Sequence, residues 1–283
     1  MENNLSVDVI QSIEFEILKY VKQICDLNGL RYYLAYGTLI GAVRHQGFIP
    51  WDDDVDIHMP RDDYYRLVSY VKQNPHPYYR LISPETNSTF THILAKVIDT
   101  RTKLTQKTHW SERVQLGVYV DIFLLDGAGH SLPEAEATYL AAYSYYKQWE
   151  KSATIMFPPG ANKRHAFNRW CHYLPAKMLG VHYHIDKHTS FCVQKPYDQY
   201  EYVAAMAAAT PEPSRNIWKR EWFGDGTAVL LNDTVFRAPQ NWDAILRPEY
   251  GDYMQLPPEE KRHSHHSFEL EIPDELLPSP IVK

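Results

Sequence analysis

Aspartates two residues apart stand out in the segment Asp52-Asp53-Asp54-Val55-Asp56-Ile57. Because side chains alternate along a β-strand, Asp54 and Asp56 would share one face while Val55 and Ile57 face the core. Two carboxylates at this spacing repel each other unless a cation lies between them, and their hard oxygen atoms suit Mg²⁺ or Mn²⁺. The spacing therefore predicts a divalent-cation site on this strand.

A further acid lies in the apolar segment Val118-Tyr119-Val120-Asp121-Ile122-Phe123. This pattern indicates a strand in which Asp121 would be costly to bury without a partner. The alternative for residues 52–56 is an exposed acidic turn that caps the helix expected near Arg61. That alternative does not explain Asp121, so we favour a site built from both segments.

The dipeptide Gly37-Thr38 follows one predicted strand and precedes a short predicted helix. A glycine at such a turn lets the backbone approach a phosphate, and the first turn of a helix offers unpaired N–H groups. A Gly-Thr pair alone is a weak signal. Combined with the paired acids and the later strand acid, it describes a nucleotide site where a metal holds phosphates and an acid activates an acceptor hydroxyl.

These segments together resemble the signature of the LicD family of phosphocholine transferases. The resemblance rests first on Gly37-Thr38-Leu39-Ile40-Gly41-Ala42-Val43-Arg44-His45 and Trp51-Asp52-Asp53-Asp54-Val55-Asp56. The later family motifs are matched by Gly117-Val118-Tyr119-Val120-Asp121-Ile122-Phe123, Tyr250-Gly251-Asp252-Tyr253-Met254, and the residues from Leu256 to His266.

The resemblance implies an α+β fold, with a nucleotidyltransferase-like mixed sheet, flanking helices and a helical insert, as in the fukutin-related proteins. It implies Mg²⁺-dependent transfer of phosphocholine from CDP-choline to a sugar hydroxyl, with release of CMP. The acceptor would be a glycan precursor of the teichoic acid or lipopolysaccharide type, assembled on a lipid carrier at the inner leaflet. The residues leave open whether the donor carries choline, ethanolamine, glycerol or ribitol.

Mapped residue by residue, the paired carboxylates of the family fall on Asp54 and Asp56, and its later strand acid falls on Asp121. These three are the predicted metal ligands and catalytic acids. Asp52 would share their face if the strand began early, and could then reach the metal or act as the base. Asp53 should point away from the site.

Three basic residues are further candidates for contacts with the donor phosphates. Arg44 and His45 follow the short predicted helix, and a guanidinium group can bind phosphate oxygens in bidentate fashion. Lys96 lies in an apolar strand, where it needs a phosphate or a carboxylate as partner. The alternative for Lys96 is an outward-facing side chain on a half-exposed strand.

The segment Arg262-His263-Ser264-His265-His266 is rich in histidine. Zinc is disfavoured because no cysteine is near and the histidine spacing differs from that of helical zinc sites. The position of this segment in the family motif favours donor-phosphate contacts or a proton relay by Lys261, Arg262, His265 and His266. The alternative is a solvated loop.

A phosphocholine donor carries a quaternary ammonium group, which aromatic ring faces bind by cation–π attraction. Trp51, Trp110 and Tyr119 lie in or near the motif strands and are the candidates. Core packing is the alternative interpretation of each.

The elements that must position these residues follow from apolar periodicity. Ile10, Ile13, Ile17, Val21 and Ile24 predict an amphipathic helix that ends near Asn28. A second helix is predicted from Arg61 to about Gln73, after Pro60. The predicted strands are Leu30–Tyr36, Asp54–Met59, Tyr79–Ile82, Thr91–Ile98, Lys103–Thr108 and Leu116–Leu124.

We divide the chain into three segments. Residues 1–130 form the predicted catalytic core, and residues 131–213 a helical insert with no strong strand. Residues 214–283 contain short strands and turns up to Arg237 and complete the site, with a loose tail from about residue 271.

The composition of the chain limits the classes of binding partner that we expect. The 283 residues carry a net charge of −6, which gives no general reason to bind nucleic acid or anionic membrane. No apolar stretch approaches the roughly 18 to 20 residues that span a bilayer, and no secretory signal is evident, so a cytoplasmic location is expected. The scattered cysteines Cys25, Cys171 and Cys192 are expected to be buried free thiols.

Two rival functions remain open from the residues. A nucleotidyltransferase would use a nucleoside triphosphate as donor and release pyrophosphate instead of CMP. A non-catalytic module would bind a choline-bearing or nucleotide-bearing ligand without needing a metal.

Overall fold

The computed structural model describes residues 7–106, 114–155, 163–208, 210–264 and 268–277. These ranges combine seven α-helices with eleven strands, so the fold is of the α+β class. The helices are α1 Val7–Asn28, α2 Tyr36–Ile40, α3 Arg61–Gln73, α4 Leu132–Ala153, α5 Lys163–Leu179, α6 Val181–Cys192 and α7 Trp242–Tyr250. The strands are β1 Tyr33–Leu34, β2 Asp56–Pro60, β3 Tyr79–Ile82, β4 Ala95–Asp99, β5 Lys103–Gln106, β6 Tyr119–Gly129, β7 Tyr202–Ala205, β8 Ile217–Lys219, β9 Thr227–Leu231, β10 Thr234–Ala238 and β11 Phe268–Glu271.

A mixed sheet of seven strands organises the molecule. Its strand order is β1-β2-β6-β4-β3, and β7 and β8 extend it along the second half of β6. Only β2 and β6 run parallel, while the other neighbours in this sheet are antiparallel. Two hairpin-like pairs, β9 with β10 and β5 with β11, lie outside it. The long strand β6 therefore contacts β2 on one side and both β4 and β7 on the other.

One face of this sheet packs against α1 and α3. The apolar stripe of α1 is buried as its spacing predicted, and the helix ends at Asn28 before Gly29, whose φ is +58°. Ile57 of β2 and Ile122 of β6 point into the same core. Since alternate residues point to the opposite face, Asp56 and Asp121 lie on the side of the sheet away from α1.

Several predicted elements are confirmed. Helix α3 and strand β3 have the predicted bounds, and β6 continues five residues beyond the predicted end at Leu124. Strand β2 begins at Asp56, two residues later than predicted. Residues 107 and 108 of the strand predicted from Lys103, and residues 278–283 of the predicted tail, lie outside the described residues.

The expectation that residues 131–213 contain no strong strand is wrong at Tyr202–Ala205. These residues form β7, which pairs with β6 of the main sheet. Alanine-rich sequence favours helix locally, but here the edge of β6 provides hydrogen-bond partners that decide the structure. The expectation of buried thiols holds for Cys25 and Cys192 and is wrong for Cys171, which is exposed on α5.

A buried ion pair fixes the start of α3 against β6. Arg61 Nε and Nη2 donate to the two carboxylate oxygens of Asp126 at 2.5 and 2.7 Å, and both side chains are almost fully buried. This bidentate geometry is the strong form of the interaction. The pair joins two elements that are 65 residues apart in the chain.

Asp126→Ala should destabilise the protein by roughly 3–5 kcal/mol, because the Arg61 guanidinium would remain buried without its partner. Urea unfolding followed by circular dichroism measures the change. The exposed pair of Lys103 and Glu271 provides the control, since Glu271→Ala should cost less than about 1 kcal/mol. Equal losses in the two variants would contradict the importance of the buried pair.

Candidate active site

The parallel pairing of β2 with β6 brings two of the predicted acids together. Asp56 stands directly opposite Asp121 in the register of the two strands. Neighbouring strands lie about 4.8 Å apart, so the two side chains leave the same face as close neighbours. The sequence predicted that each of these two acids lies on a strand, and the structure shows that the two strands pair.

Asp54 and Asp52 approach this pair from the chain that precedes β2. The backbone carbonyl of Val55 accepts a hydrogen bond from Asp121 N at 2.9 Å, so the contact with β6 begins before the strand itself. The charges of Asp54 and Asp52 both act on Asp56. All four predicted acids therefore contribute to one negative region.

Like charges crowd around Asp56. Burial raises the pKa of Asp56 well above its ordinary value, and the charges of Asp54, Asp121 and Asp52 raise it further. The nearby Lys96 opposes this shift only in part. Such a group favours either a bound proton or a cation beside it.

Lys96 faces the site and is not an outward-facing residue. It stands opposite Asp121 in the antiparallel pairing of β4 with β6, and its Nζ donates to Asp121 Oδ1 at 2.5 Å. Burial alone would lower the pKa of Lys96, but the charge of Asp121 raises it above its usual value. Lys96 Nζ also lies 3.6 Å from the ring centroid of Tyr119, so that ring already binds a cation of this chain.

The Gly37-Thr38 pair contacts the acids. Thr38 Oγ1 accepts a hydrogen bond from Asp56 N at 2.9 Å, which fixes the first residue of β2. A Cβ atom at Gly37 would collide with the carboxylate of Asp52, so glycine makes room for that acid. These contacts give the pair a positioning role, and its predicted contact with a phosphate stays a prediction.

Arg44 and His45 end the π-helical turn Gly41–His45, which continues α2. Arg44 Nη1 donates to the backbone oxygen of Tyr253 at 2.6 Å, and Arg44 Nε donates to His45 Nε2 at 2.9 Å. Burial lowers the pKa of both side chains, and the charge of Arg44 lowers that of His45 further. Arg44 thus joins two of the family-like segments.

Asp53 is buried and contacts the C-terminal segment. Asp53 is only 5% exposed, and Ser264 Oγ donates a hydrogen bond to its carboxylate. The strand does not extend back to this residue, so strand alternation does not determine its direction. Asp53 instead holds the C-terminal segment against the acidic loop.

The other C-terminal candidates are only partly described. Lys261 is exposed at the end of a short 3-10 turn. The Arg262 guanidinium lies 5.7 Å from the Trp51 ring centroid, and its Nε donates to Pro257 O at 2.8 Å. His265, His266 and Trp110 lie outside the described residues.

Sequence reasoning missed Glu14 of α1. This residue is 3% exposed, and within the described ranges its Oε2 has no hydrogen-bond partner. Burial raises its pKa well above the ordinary value, followed by the charges of Asp54, Asp53, Asp52 and Asp121. The available signal was its position, since an acid on the apolar stripe of α1 cannot avoid the core.

Glu14→Gln should remove a pH dependence of stability in metal-free protein. A buried acid with a raised pKa keeps its proton in the folded state after the unfolded chain has lost it. The protonated side chain therefore stabilises the folded state fully at a pH below its pKa in the unfolded chain, which is close to 4.5. This contribution is lost as the pH rises toward the higher pKa of Glu14 in the folded protein. Thermal unfolding in EDTA between acidic and neutral pH should show a smaller decline for the variant, and parallel curves would contradict this account.

Gln11, one helical turn before Glu14, ties α1 to the acidic loop. Its Nε2 donates to the backbone oxygens of Ile49 and Asp52, at 2.9 and 2.7 Å. The loop that carries Asp52, Asp53 and Asp54 is thus held from α1 as well as from the C-terminal segment.

The chemistry of these donors fits a hard divalent cation. Carboxylate oxygens suit Mg²⁺ or Mn²⁺, and a cation would relieve the repulsion around Asp56. Within the ranges that the structure describes, no group of three or more His, Cys, Asp or Glu side chains is arranged to hold a metal ion as it stands. The metal therefore stays a prediction.

Comparison with known proteins supports the family resemblance of the sequence. Residues 29–168 match the nucleotidyltransferase domain of the LicD/FKTN/FKRP family. Residues 29–168 therefore carry the domain of this family.

Similarity to one relative extends along almost the whole chain. The protein is 29% identical over 272 residues to the lipopolysaccharide cholinephosphotransferase LicD of Haemophilus influenzae, covering 93% of this chain and 96% of the relative. A shorter match, 44% identical over 48 residues, joins it to the ribitol 5-phosphate transferase FKRP of Mus musculus and Homo sapiens, covering 17% of this chain and 10% of the relative. Among the described residues, none of the helices has the length and apolar character needed to cross a membrane.

Proposed function

We propose that this protein transfers phosphocholine from CDP-choline to a sugar hydroxyl of a cell-surface glycan precursor and releases CMP. The observation that carries the proposal is the acidic group of Asp56 beside Asp121, in a chain similar along nearly its full length to a cholinephosphotransferase. The acceptor would be a lipopolysaccharide or teichoic acid precursor on a lipid carrier, met at the cytoplasmic face of the membrane.

The reaction breaks one P–O bond and forms another. The acceptor hydroxyl oxygen attacks the β-phosphorus of CDP-choline, and the bond from that phosphorus to the bridging oxygen breaks. CMP leaves with the bond electrons, and the hydroxyl proton passes to a carboxylate of the acidic group, for which Asp52 is our candidate. The product is a phosphodiester between choline and the sugar.

We assign a different part of the reaction to each group of side chains in the site. Asp54, Asp56 and Asp121 would hold Mg²⁺ or Mn²⁺, which when bound supplies positive charge to the diphosphate. Lys96 neutralises part of the charge on Asp121 and keeps its carboxylate in place. Arg44, His45, Lys261, Arg262, His265 and His266 are the proposed contacts of the donor phosphates.

Product analysis tests the proposal. Purified protein is incubated with Mg²⁺, radiolabelled CDP-choline and a lipopolysaccharide core or teichoic acid fragment that lacks choline. We expect label on the glycan and an equal amount of CMP. CDP-ribitol, CDP-glycerol and CTP serve as competing donors. Preferred use of CDP-ribitol, or release of pyrophosphate from CTP, would overturn the choice of donor.

A further inference from the structure

An aromatic group continues the face of the sheet beside the acids. Residues two apart on a strand share a face at about 7 Å spacing, so His58 and Phe123 follow Asp56 and Asp121 on the same side. His58 and Phe123 are themselves opposite each other in the register of β2 and β6. The ring of Tyr36 packs edge-on against both, with centroid distances of 4.9 Å to His58 and 5.0 Å to Phe123.

Tyr36 is held in this position at a conformational cost. Its φ is +44°, in the left-handed region that residues other than glycine rarely adopt. Its hydroxyl donates to Asn216 Oδ1 at 2.7 Å, which ties the ring to the segment before β8. The side chain is only partly buried, so the fold maintains a strained residue whose ring borders the acidic site.

Helix α7 brings a carboxylate and a second tyrosine to the same place. The charges of Glu249, Tyr250 and Asp56 all act on the Tyr36 hydroxyl, and those of Asp56, Asp52 and Asp54 act on Tyr250. Helix α7 also contacts α2, so these groups lie near one another beside the acids. Tyr250 is 39% exposed, so its ring remains accessible from solvent.

Glu249 is a carboxylate without a cation of its own. In the part of the chain that the structure describes, it makes no ion pair, and the nearby Arg215 is paired with Glu212 at 2.6 Å. Burial raises the pKa of Glu249 to about 7, against the opposing effects of Arg215 and a hydrogen bond with Tyr250. A cationic ligand beside Glu249 would supply the missing charge.

The rings of Tyr36 and Phe123 carry no charge that would repel a cation. His58 is buried against the rings of Trp218 and Phe223. By contrast, the sequence-derived candidates Tyr119 and Trp51 lie beside Lys96 and Arg262 of the chain itself. Their ring faces are therefore poorer choices for a positively charged ligand.

We propose that Tyr36, Phe123, Tyr250 and Glu249 form the subsite that binds the quaternary ammonium group of the donor. This inference rests on the proposed function. A quaternary ammonium has no N–H group to donate, so ring faces and negative charge are what can recognise it. The aromatic group lies one same-face position, about 7 Å, along the strands from the acids.

Calorimetric binding to the full-length protein with Mg²⁺ tests the subsite. The ligands are CDP-choline, the uncharged CDP-glycerol, and CMP, and the variants are Glu249→Gln and Tyr250→Leu. We expect each variant to weaken CDP-choline binding by about tenfold or more, and to change CDP-glycerol and CMP binding by less than about twofold. Glu221→Gln neutralises an exposed carboxylate outside the subsite, so this control should bind CDP-choline like the wild type.

The outcomes separate this inference from the proposed function. Wild-type protein that fails to prefer CDP-choline over CDP-glycerol would contradict the proposed function. Wild-type preference that survives in both Glu249→Gln and Tyr250→Leu would leave the function standing and overturn the subsite. A loss that affects CMP as strongly as CDP-choline would also overturn it, since the residues would then serve the nucleotide or the fold.

Discussion

Asp56→Asn is expected to lower turnover of CDP-choline by about two orders of magnitude or more while the protein stays folded. Asparagine has nearly the same shape, so the hydrogen bond from the Asp56 backbone to Thr38 should persist. The substitution removes the negative charge that, with Asp121, would bind the cation. Turnover is measured as CMP release at saturating Mg²⁺.

The same Asp56→Asn substitution should not destabilise the metal-free protein. Burial and the charges of Asp54 and Asp121 already disfavour the ionised form of Asp56. Asparagine removes that repulsion, so the metal-free variant should melt at the same temperature as the wild type or higher. Asp62→Asn, which alters an exposed acid in the first turn of α3, is the matched control and should retain activity. Turnover like that of the wild type in both Asp56→Asn and Asp54→Asn would sink the assignment of the site.

Lys96→Met is expected to reduce both stability and turnover. Lys96 and Asp121 are 6% and 14% exposed, and their ion pair lies between β4 and β6. Removing the lysine leaves the Asp121 carboxylate poorly solvated among like charges, which should cost about 3 kcal/mol. Turnover should fall by about a hundredfold, because Asp121 would lose the contact that orients it.

A double-mutant cycle separates the pair from general damage to the core. Lys96→Met combined with Asp121→Asn removes both charges, so the double variant should be more stable than Lys96→Met alone. It should remain inactive, because the acid is still absent. Stability effects that add within about 0.5 kcal/mol would show that the two side chains act independently, contrary to this account.

Local sequence patterns predicted the elements whose structure depends mainly on neighbouring residues. The stripe on α1 and the Pro60 boundary of α3 predicted both helices closely. The strand character of the segments around Asp56 and Asp121 was also predictable. Their register was not, because pairing between residues that are 65 positions apart depends on the whole sheet.

What the sequence did not predict also depends on contacts between distant segments of the chain. Strand alternation does not determine the direction of Asp53 because β2 begins only at Asp56, and Tyr202–Ala205 forms a strand because β6 offers it an edge. Glu14 gave a readable signal as an acid on an apolar stripe, but only the fold shows that it lies near the acids. The aromatic subsite combines residues from three distant segments and has no local signature.

Isothermal titration of the wild-type protein with CDP-choline, once with Mg²⁺ and once with EDTA, tests the central claim most directly. Parallel titrations with CDP-ethanolamine, CDP-glycerol, CDP-ribitol and CTP establish the selectivity. The proposed transferase predicts binding that is selective for CDP-choline and is lost with EDTA. Preference for CTP would support a nucleotidyltransferase, and affinity for CDP-choline that is indifferent to the metal would contradict the role assigned to the acidic site.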